Sequence, residues 1–104
     1  VAVSSDGGTN QSMTSPDGIN WTLRATPATT GTYGGVAYGA GVFVAVNNSI
    51  AGQRAMMSYN GVNWILMTTV ANNSFESIAY GAGVFAAVAS NGGTNQVMTL
   101  EYPV

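Results

Sequence analysis

Cysteine is absent from the chain, and so is histidine. Without cysteine there is no disulfide, no thiolate zinc site and no thiol nucleophile. Without histidine the commonest general base, the commonest metal ligand and the side chain that switches charge near neutral pH are all missing. Charge is scarce as well. Two basic and four acidic residues make up 6% of the chain, where ~25% is ordinary. Two arginines cannot form a patch that neutralises phosphates, which argues against nucleic acid and against anionic membrane surfaces as partners. No apolar run approaches the ~18 residues of a spanning helix, so membrane insertion is not expected. No segment carries helical periodicity. The chain opens in Val1-Ala2-Val3 with neither an initiator Met nor a leader pattern. The expectation is a removed N-terminal piece or a segment of something longer.

What fills the chain is apolar residues, at 46%, together with Gly, Ser, Thr and Asn. At 104 residues it is one domain at most. Its order is set by an internal repeat. Val1-Ala2-Val3 returns as Val44-Ala45-Val46, and Ser15-Pro16-Asp17-Gly18-Ile19-Asn20-Trp21 returns as Ser58-Tyr59-Asn60-Gly61-Val62-Asn63-Trp64, both 43 positions later. Ala37-Tyr38-Gly39-Ala40-Gly41-Val42-Phe43 returns unchanged as Ala79-Tyr80-Gly81-Ala82-Gly83-Val84-Phe85, 42 positions later. Gly7-Gly8-Thr9-Asn10-Gln11 returns as Gly92-Gly93-Thr94-Asn95-Gln96 at the combined offset of 85.

Within one copy the pattern predicts four short strands bounded by turn residues. Gly35–Tyr38 is the first, and Gly39-Ala40-Gly41 supplies the positive φ angles of a tight hairpin. Val42–Val46 is the second, an uninterrupted apolar run that implies burial on both faces. A polar loop leads to the third near Arg54–Ser58. Asn60-Gly61 turns the chain into the fourth, Asn63–Met67. Four strands in ~40 residues is the spacing of a propeller blade. The fold class predicted is therefore all-β: propeller blades, each a four-stranded antiparallel repeat, forming an incomplete ring. The blades divide as 1–32 (partial), 33–75 (full) and 76–104 (partial).

The segment Ser15-x-Asp17-Gly18-x-x-Trp21 resembles the Asp-box, or BNR repeat, of sialidase-like propellers, in a form one residue shorter between Asp and Gly. The second copy, Ser58, Asn60, Gly61 and Trp64, carries Asn in place of Asp, and the third ends before its box, in Leu100-Glu101-Tyr102-Pro103. In that family the box forms the hairpin between the third and fourth strands. The roles this implies are structural. A short Asp or Asn side chain accepts hydrogen bonds from the backbone N–H groups of its own turn, and Trp21 and Trp64 bury their rings between blades. The enzymes of the family need three clustered arginines to hold a carboxylate, a Tyr nucleophile beside a Glu, and an acid Asp. Here only Arg24 and Arg54 occur, in different copies, with Asp6, Asp17, Glu76 and Glu101. Asp17 belongs to a turn, and Asp6 has Ser49 as its counterpart. With no evident carboxylate pair for glycosidase chemistry, the chain is read as not an enzyme, with no cofactor and no metal.

Met13, Met56 and Met98 occupy matching third-strand positions and read as core packing. The Gly7-Gly8 loop lacks the Lys and the helix of a phosphate cradle. Four sequons occur, at Asn10, Asn20, Asn47 and Asn72; about two are expected by chance in this composition, and they mark potential glycosylation only where the source glycosylates. The function expected is a non-catalytic, lectin-like module, extracellular or on a cell or virion surface, in which repeated sites gain from multivalency. Its candidate ligand residues are Asp6, Thr9, Asn10, Gln11, Thr94, Asn95 and Gln96. The alternative is a structural repeat of a fibre, surface or virion protein, or an engineered propeller fragment. Three, four and three strands cannot close a ring of four-stranded blades, so identical chains are the expected partners, with glycans as ligands. If neighbouring chains shared one blade, residues 1–14 and 86–99 would compete for a single place in it.

Overall fold

The computed structural model describes residues 1–5, 10–26, 32–48, 55–67, 74–91 and 96–101. Among these the chain is all-β, with ten strands: β1 Ala2–Val3, β2 Ser12–Thr14, β3 Thr22–Arg24, β4 Tyr33–Gly39, β5 Val42–Asn47, β6 Ala55–Ser58, β7 Ile65–Met67, β8 Phe75–Gly81, β9 Val84–Ala89 and β10 Val97–Glu101. They form three antiparallel sheets in which chain neighbours pair: β1-β2-β3, β4-β5-β6-β7 and β8-β9-β10. The four-strand reading of the middle copy holds, with small shifts at the strand ends. The first strand starts earlier, at Tyr33, and the fourth starts later, at Ile65.

The tight hairpins β4–β5 and β8–β9 turn through Ala40-Gly41 and Ala82-Gly83. Positive φ falls on Ala40 (52°) and Gly41 (81°), and on Ala82 (52°) and Gly83 (84°). The first glycine of each Gly-Ala-Gly stays in the strand, paired as Gly39 with Val42 and Gly81 with Val84. Two consecutive positive-φ residues match the right-handed twist of the flanking strands.

The middle sheet lies between the other two. Its front face carries Tyr33, Ala45, Met56 and Trp64, packed with Val1 and Val3 of the N-terminal sheet. Its back face carries Val42, Val44, Val46 and Ala55, packed with Phe75, Phe85 and Ala87 of the C-terminal sheet. Side chains alternate along a strand, so β5 sends its valines backward and Ala45 forward, and both directions are buried. That accounts for its uninterrupted apolar run. Tyr33 and Val36 share the front face although three positions apart. A register shift between Tyr33 and Gly35 resets the alternation, the effect of a β-bulge. The same shift recurs between Phe75 and Ser77.

Glycine lets the first strands approach. A Cβ on Gly34 would sit 2.7 Å from the Glu76 carbonyl oxygen, and one on Gly39 would lie inside the Tyr80 ring. Tyr80 packs against Phe85 with ring centroids 4.7 Å apart, and Tyr38 repeats the pair with Phe43 at 4.6 Å.

Candidate functional site

The two Ser-x-Asp/Asn-Gly turns connect β2 to β3 and β6 to β7, so each joins the third strand of its copy to the fourth. Asp17 Oδ1 accepts from the backbone N–H of Ile19 (2.8 Å) and Asn20 (2.9 Å) and from the Ser15 hydroxyl (2.9 Å), while Oδ2 accepts from Asn20 Nδ2 (3.1 Å). Ser15 Oγ accepts from the N–H of Gly18 at 2.8 Å. These bonds hold the Asp17 carboxyl well below the ordinary carboxylate range, the Asn20 and Ile19 amides being the main cause. Asn60 reproduces the geometry, accepting from the N–H of Val62 (2.8 Å) and Asn63 (3.0 Å) and from Ser58 Oγ (3.1 Å). An amide oxygen serves this turn as well as a carboxylate. Both side chains are committed to their turns, as expected, which leaves Asp17 unsuited to acid–base work. Gly18 and Gly61 take positive φ, 77° and 79°.

The expectation that both tryptophans are buried holds for one of them. Trp64 is 8% exposed and donates its ring N–H to the Gly61 carbonyl at 3.2 Å. Trp21 is 43% exposed. The physical reason is position. Trp64 stands on the front of the middle sheet, against the N-terminal sheet. Trp21 stands beside the front of the N-terminal sheet, on which nothing among the described residues is stacked. The methionines divide the same way: Met56 is buried, whereas Met13 and Met98 are half-buried.

At the opposite end of the sheets, where second strands lead into third strands, the surface is polar. Glu76 Oε1 accepts from Asn48 Nδ2 (3.2 Å) and from Ser90 Oγ (3.3 Å), tying the middle sheet to the C-terminal one. Asn91 grips Ser74 twice, accepting from its N–H (2.7 Å) and donating to its hydroxyl (3.1 Å). The two donors to Glu76 use the same carboxylate oxygen. Glu76, Ser90 and Asn91 are exposed, and Asn48 and Ser74 half-buried. The exposed aromatic Tyr38 sits at the other end of β4, paired with Phe43, while Tyr33 at this end, paired with Asn47, is buried. The polar end is therefore a hydrogen-bonding surface without an exposed ring among the described residues.

Of the ligand residues expected from sequence, Asp6, Thr9, Thr94 and Asn95 lie outside the described residues, as do Arg54 and Asn72. Asn10 and Gln96 are exposed at the polar end, and Gln11 is buried. The two copies of this loop are closed by the same bond, Ser4 N–H to the Gln11 carbonyl (3.0 Å) and Ala89 N–H to the Gln96 carbonyl (2.8 Å). Sequence reasoning did not assign Asn48, Glu76, Ser90 or Asn91 to a site. A signal existed for one of them: Glu76 stands where the preceding copy has Gly34, a departure from the repeat. Arg24 is taken up by Thr14, donating to its Oγ1 at 2.9 Å. Among the described residues no three His, Cys, Asp or Glu side chains gather to hold a metal. No protein-family model matches the chain, and no curated protein matches it.

Proposed function

We propose that the three sheets are blades of a propeller of the Asp-box kind, and that the chain is a non-catalytic, extracellular binding module for neutral, hydroxyl-rich ligands, glycans foremost. The observation that carries this reading is the Asn48–Glu76–Ser90 network at the polar end. It presents fixed acceptors, in a nearly uncharged surround, next to the loops between second and third strands. Such a surface recognises ligands by hydrogen bonds, with one carboxylate as its strongest acceptor. Among the described residues no exposed ring stands beside it, so stacking is a minor part of this reading. The commitment of Asp17 to its turn and of Arg24 to Thr14 supports a non-catalytic role.

A glycan array at high density, followed by titration of any hit, tests the proposal. Glu76→Ala should weaken binding about tenfold, the worth of one hydrogen bond to a charged group, while the variant keeps its native circular dichroism. Silence across all neutral and acidic glycans defeats the reading, as does a hit indifferent to Glu76→Ala.

The second reading is a structural repeat of a fibre, surface or virion protein, or an engineered propeller fragment. It is favoured by the repetition of one apolar row, Ala2–Met13–Leu23 and Ala45–Met56–Leu66, in adjacent sheets. The intact mass of the native polypeptide separates the two. A species near 10.6 kDa fits a small assembling unit, and one several-fold larger fits a repeat within a long chain.

A further inference from the structure

The chain contains one kind of sheet-on-sheet contact, made twice, and carries both halves of a third. In each internal contact the front of a later sheet rests on the back of the earlier one. The front of the middle sheet is built on a cross-strand row in which Ala45 pairs with Met56 and Met56 with Leu66. Ala45 and Met56 are buried there against Val1 and Val3. The C-terminal sheet repeats the row as Ala87 paired with Met98, packed on the backs of β5 and β6.

The N-terminal sheet carries the same row in the same residue types, Ala2 paired with Met13 and Met13 with Leu23. Here it is open: Leu23 is 66% exposed and Trp21 beside it 43%. Ala2, Met13 and Leu23 line a shallow depression closed by Asn10, Gln11 and Ser12. The complementary surface stands open at the other end of the chain. On the back of the C-terminal sheet Val88 pairs with Val97 and Ala86 with Thr99. Val88 and Val97 are 48% and 64% exposed. Their counterparts on the middle sheet, Val46 and Ala55, are fully buried by the sheet behind them.

We infer that a second copy of this chain docks head to tail, its Ala2–Met13–Leu23 front on the Val88–Val97 back of the first. The occupant is argued from the two internal contacts: the open front repeats the residue types of the middle sheet's packed front, and Val88 and Val97 stand where the packed back of the middle sheet has Val46 and Ala55. Ala2, Met13, Leu23, Val88, Val97, Ala86 and Thr99 are uncharged, so burying them carries no desolvation penalty for an ion; Glu101 pairs with Val84 at the far end of β10. The docking needs no strand to change sheets, which removes the competition between residues 1–14 and 86–99 that a shared blade would create. An interface joining two different faces is heterologous, and it builds a ring or a filament according to its rotation. This inference does not depend on ligand binding, and its test involves no ligand.

The test is sedimentation velocity on the 104-residue chain from low micromolar to high micromolar concentration. Leu23→Asp closes the front, and Val97→Asp closes the back. Wild type should grow with concentration in steps of the 10.6 kDa chain, and each variant alone should stay monomeric. An equimolar mixture of the two should give a dimer and stop there, because one good front and one good back remain. Recovery in the mixture also shows that both variants are folded. If either loses its native circular dichroism, Leu23→Ser and Val97→Ser replace the pair. A wild-type chain monomeric throughout overturns the inference. So does a dimer abolished by Leu23→Asp but untouched by Val97→Asp, which would mean front-to-front association. A mixture of folded variants that remains monomeric overturns it too.

Discussion

Trp64 donates its indole N–H to the carbonyl of Gly61 at 3.2 Å, and the ring that makes this bond is buried against the preceding sheet. The bond satisfies the one polar atom of a large apolar side chain at the place where the side chain is taken out of water. Trp64→Ala should therefore destabilise by about 3–5 kcal/mol, the range for a large aromatic removed from a core. Trp21→Ala, at a position 43% exposed, should cost about 1 kcal/mol in dilute solution, less than the full burial term of a large side chain. Urea unfolding of both variants measures the difference. Equal midpoints would mean that the neighbouring sheet does not supply the burial.

Two glycines of the same turn give a second comparison. Gly18 and Gly61 both take positive φ, so alanine at either is strained by about 1–2 kcal/mol. A Cβ on Gly18 meets nothing within 4 Å, whereas one on Gly61 would lie 2.8 Å from Val1 Cγ2 and 3.5 Å from Thr14 Cγ2. Gly61→Ala should cost about 1–3 kcal/mol more than Gly18→Ala, the usual range for overpacking. The readout is a lower urea midpoint at unchanged slope.

The contrast between these paired positions also marks how far the sequence could be read. Strand positions were legible because turn chemistry is local: Asn60-Gly61 and the Gly-Ala-Gly hairpins announce where the chain reverses. The apolar run Val42–Val46 disclosed a two-sided burial that the structure bears out. The early start of β4 was not legible, since Tyr33-Gly34-Gly35 reads as a loop until a bulge places Tyr33 on the front face. The exposure of Trp21 was hidden for another reason. Burial on a sheet face is supplied by the neighbouring sheet, and a residue pattern within one strand does not show whether a neighbour is present. The polar end was half legible. Asn10 and Gln96, from the repeated Thr-Asn-Gln segments, stand at the same end of the sheets as the Glu76 network. The Glu76 network was missed because it joins Asn48 to a residue 28 positions away, beyond any local signal.

The Asp17 turn predicts an acid sensitivity. The folded carboxyl is held well below its ordinary range by its turn amides. A carboxyl depressed in the folded state contributes stability that is present above the unfolded pKa. That contribution is lost as pH falls from about 4 toward the folded value. Asp17→Asn, which copies the Asn60 turn, should leave the fold intact and flatten the dependence of the unfolding midpoint on pH between about 4 and 2. An unchanged slope in the variant would assign the acid sensitivity to other carboxyls.

Tyr33 makes the opposite prediction at alkaline pH. Its side chain is 2% exposed, and that burial pushes the phenol up to about 12, with the Asn47 side chain acting in the lowering direction. Removal from water disfavours the phenolate, since the ring has little solvent left to hold its charge. The sign follows from linkage. A phenol whose folded pKa lies above the unfolded value of about 10 contributes stability fully present below pH 10. The contribution disappears as pH rises through 12. In a spectrophotometric titration the Tyr33 phenolate should appear late, in the range where the near-UV dichroism of the folded chain collapses. Tyr33→Phe should remove that late step. It should also move the alkaline collapse to higher pH, because the folded state no longer has to suppress an ionisation that the unfolded chain makes freely. If the late step survives the substitution, the buried phenol belongs to another tyrosine, and the packing of the bulge at Tyr33 against the N-terminal sheet is wrong.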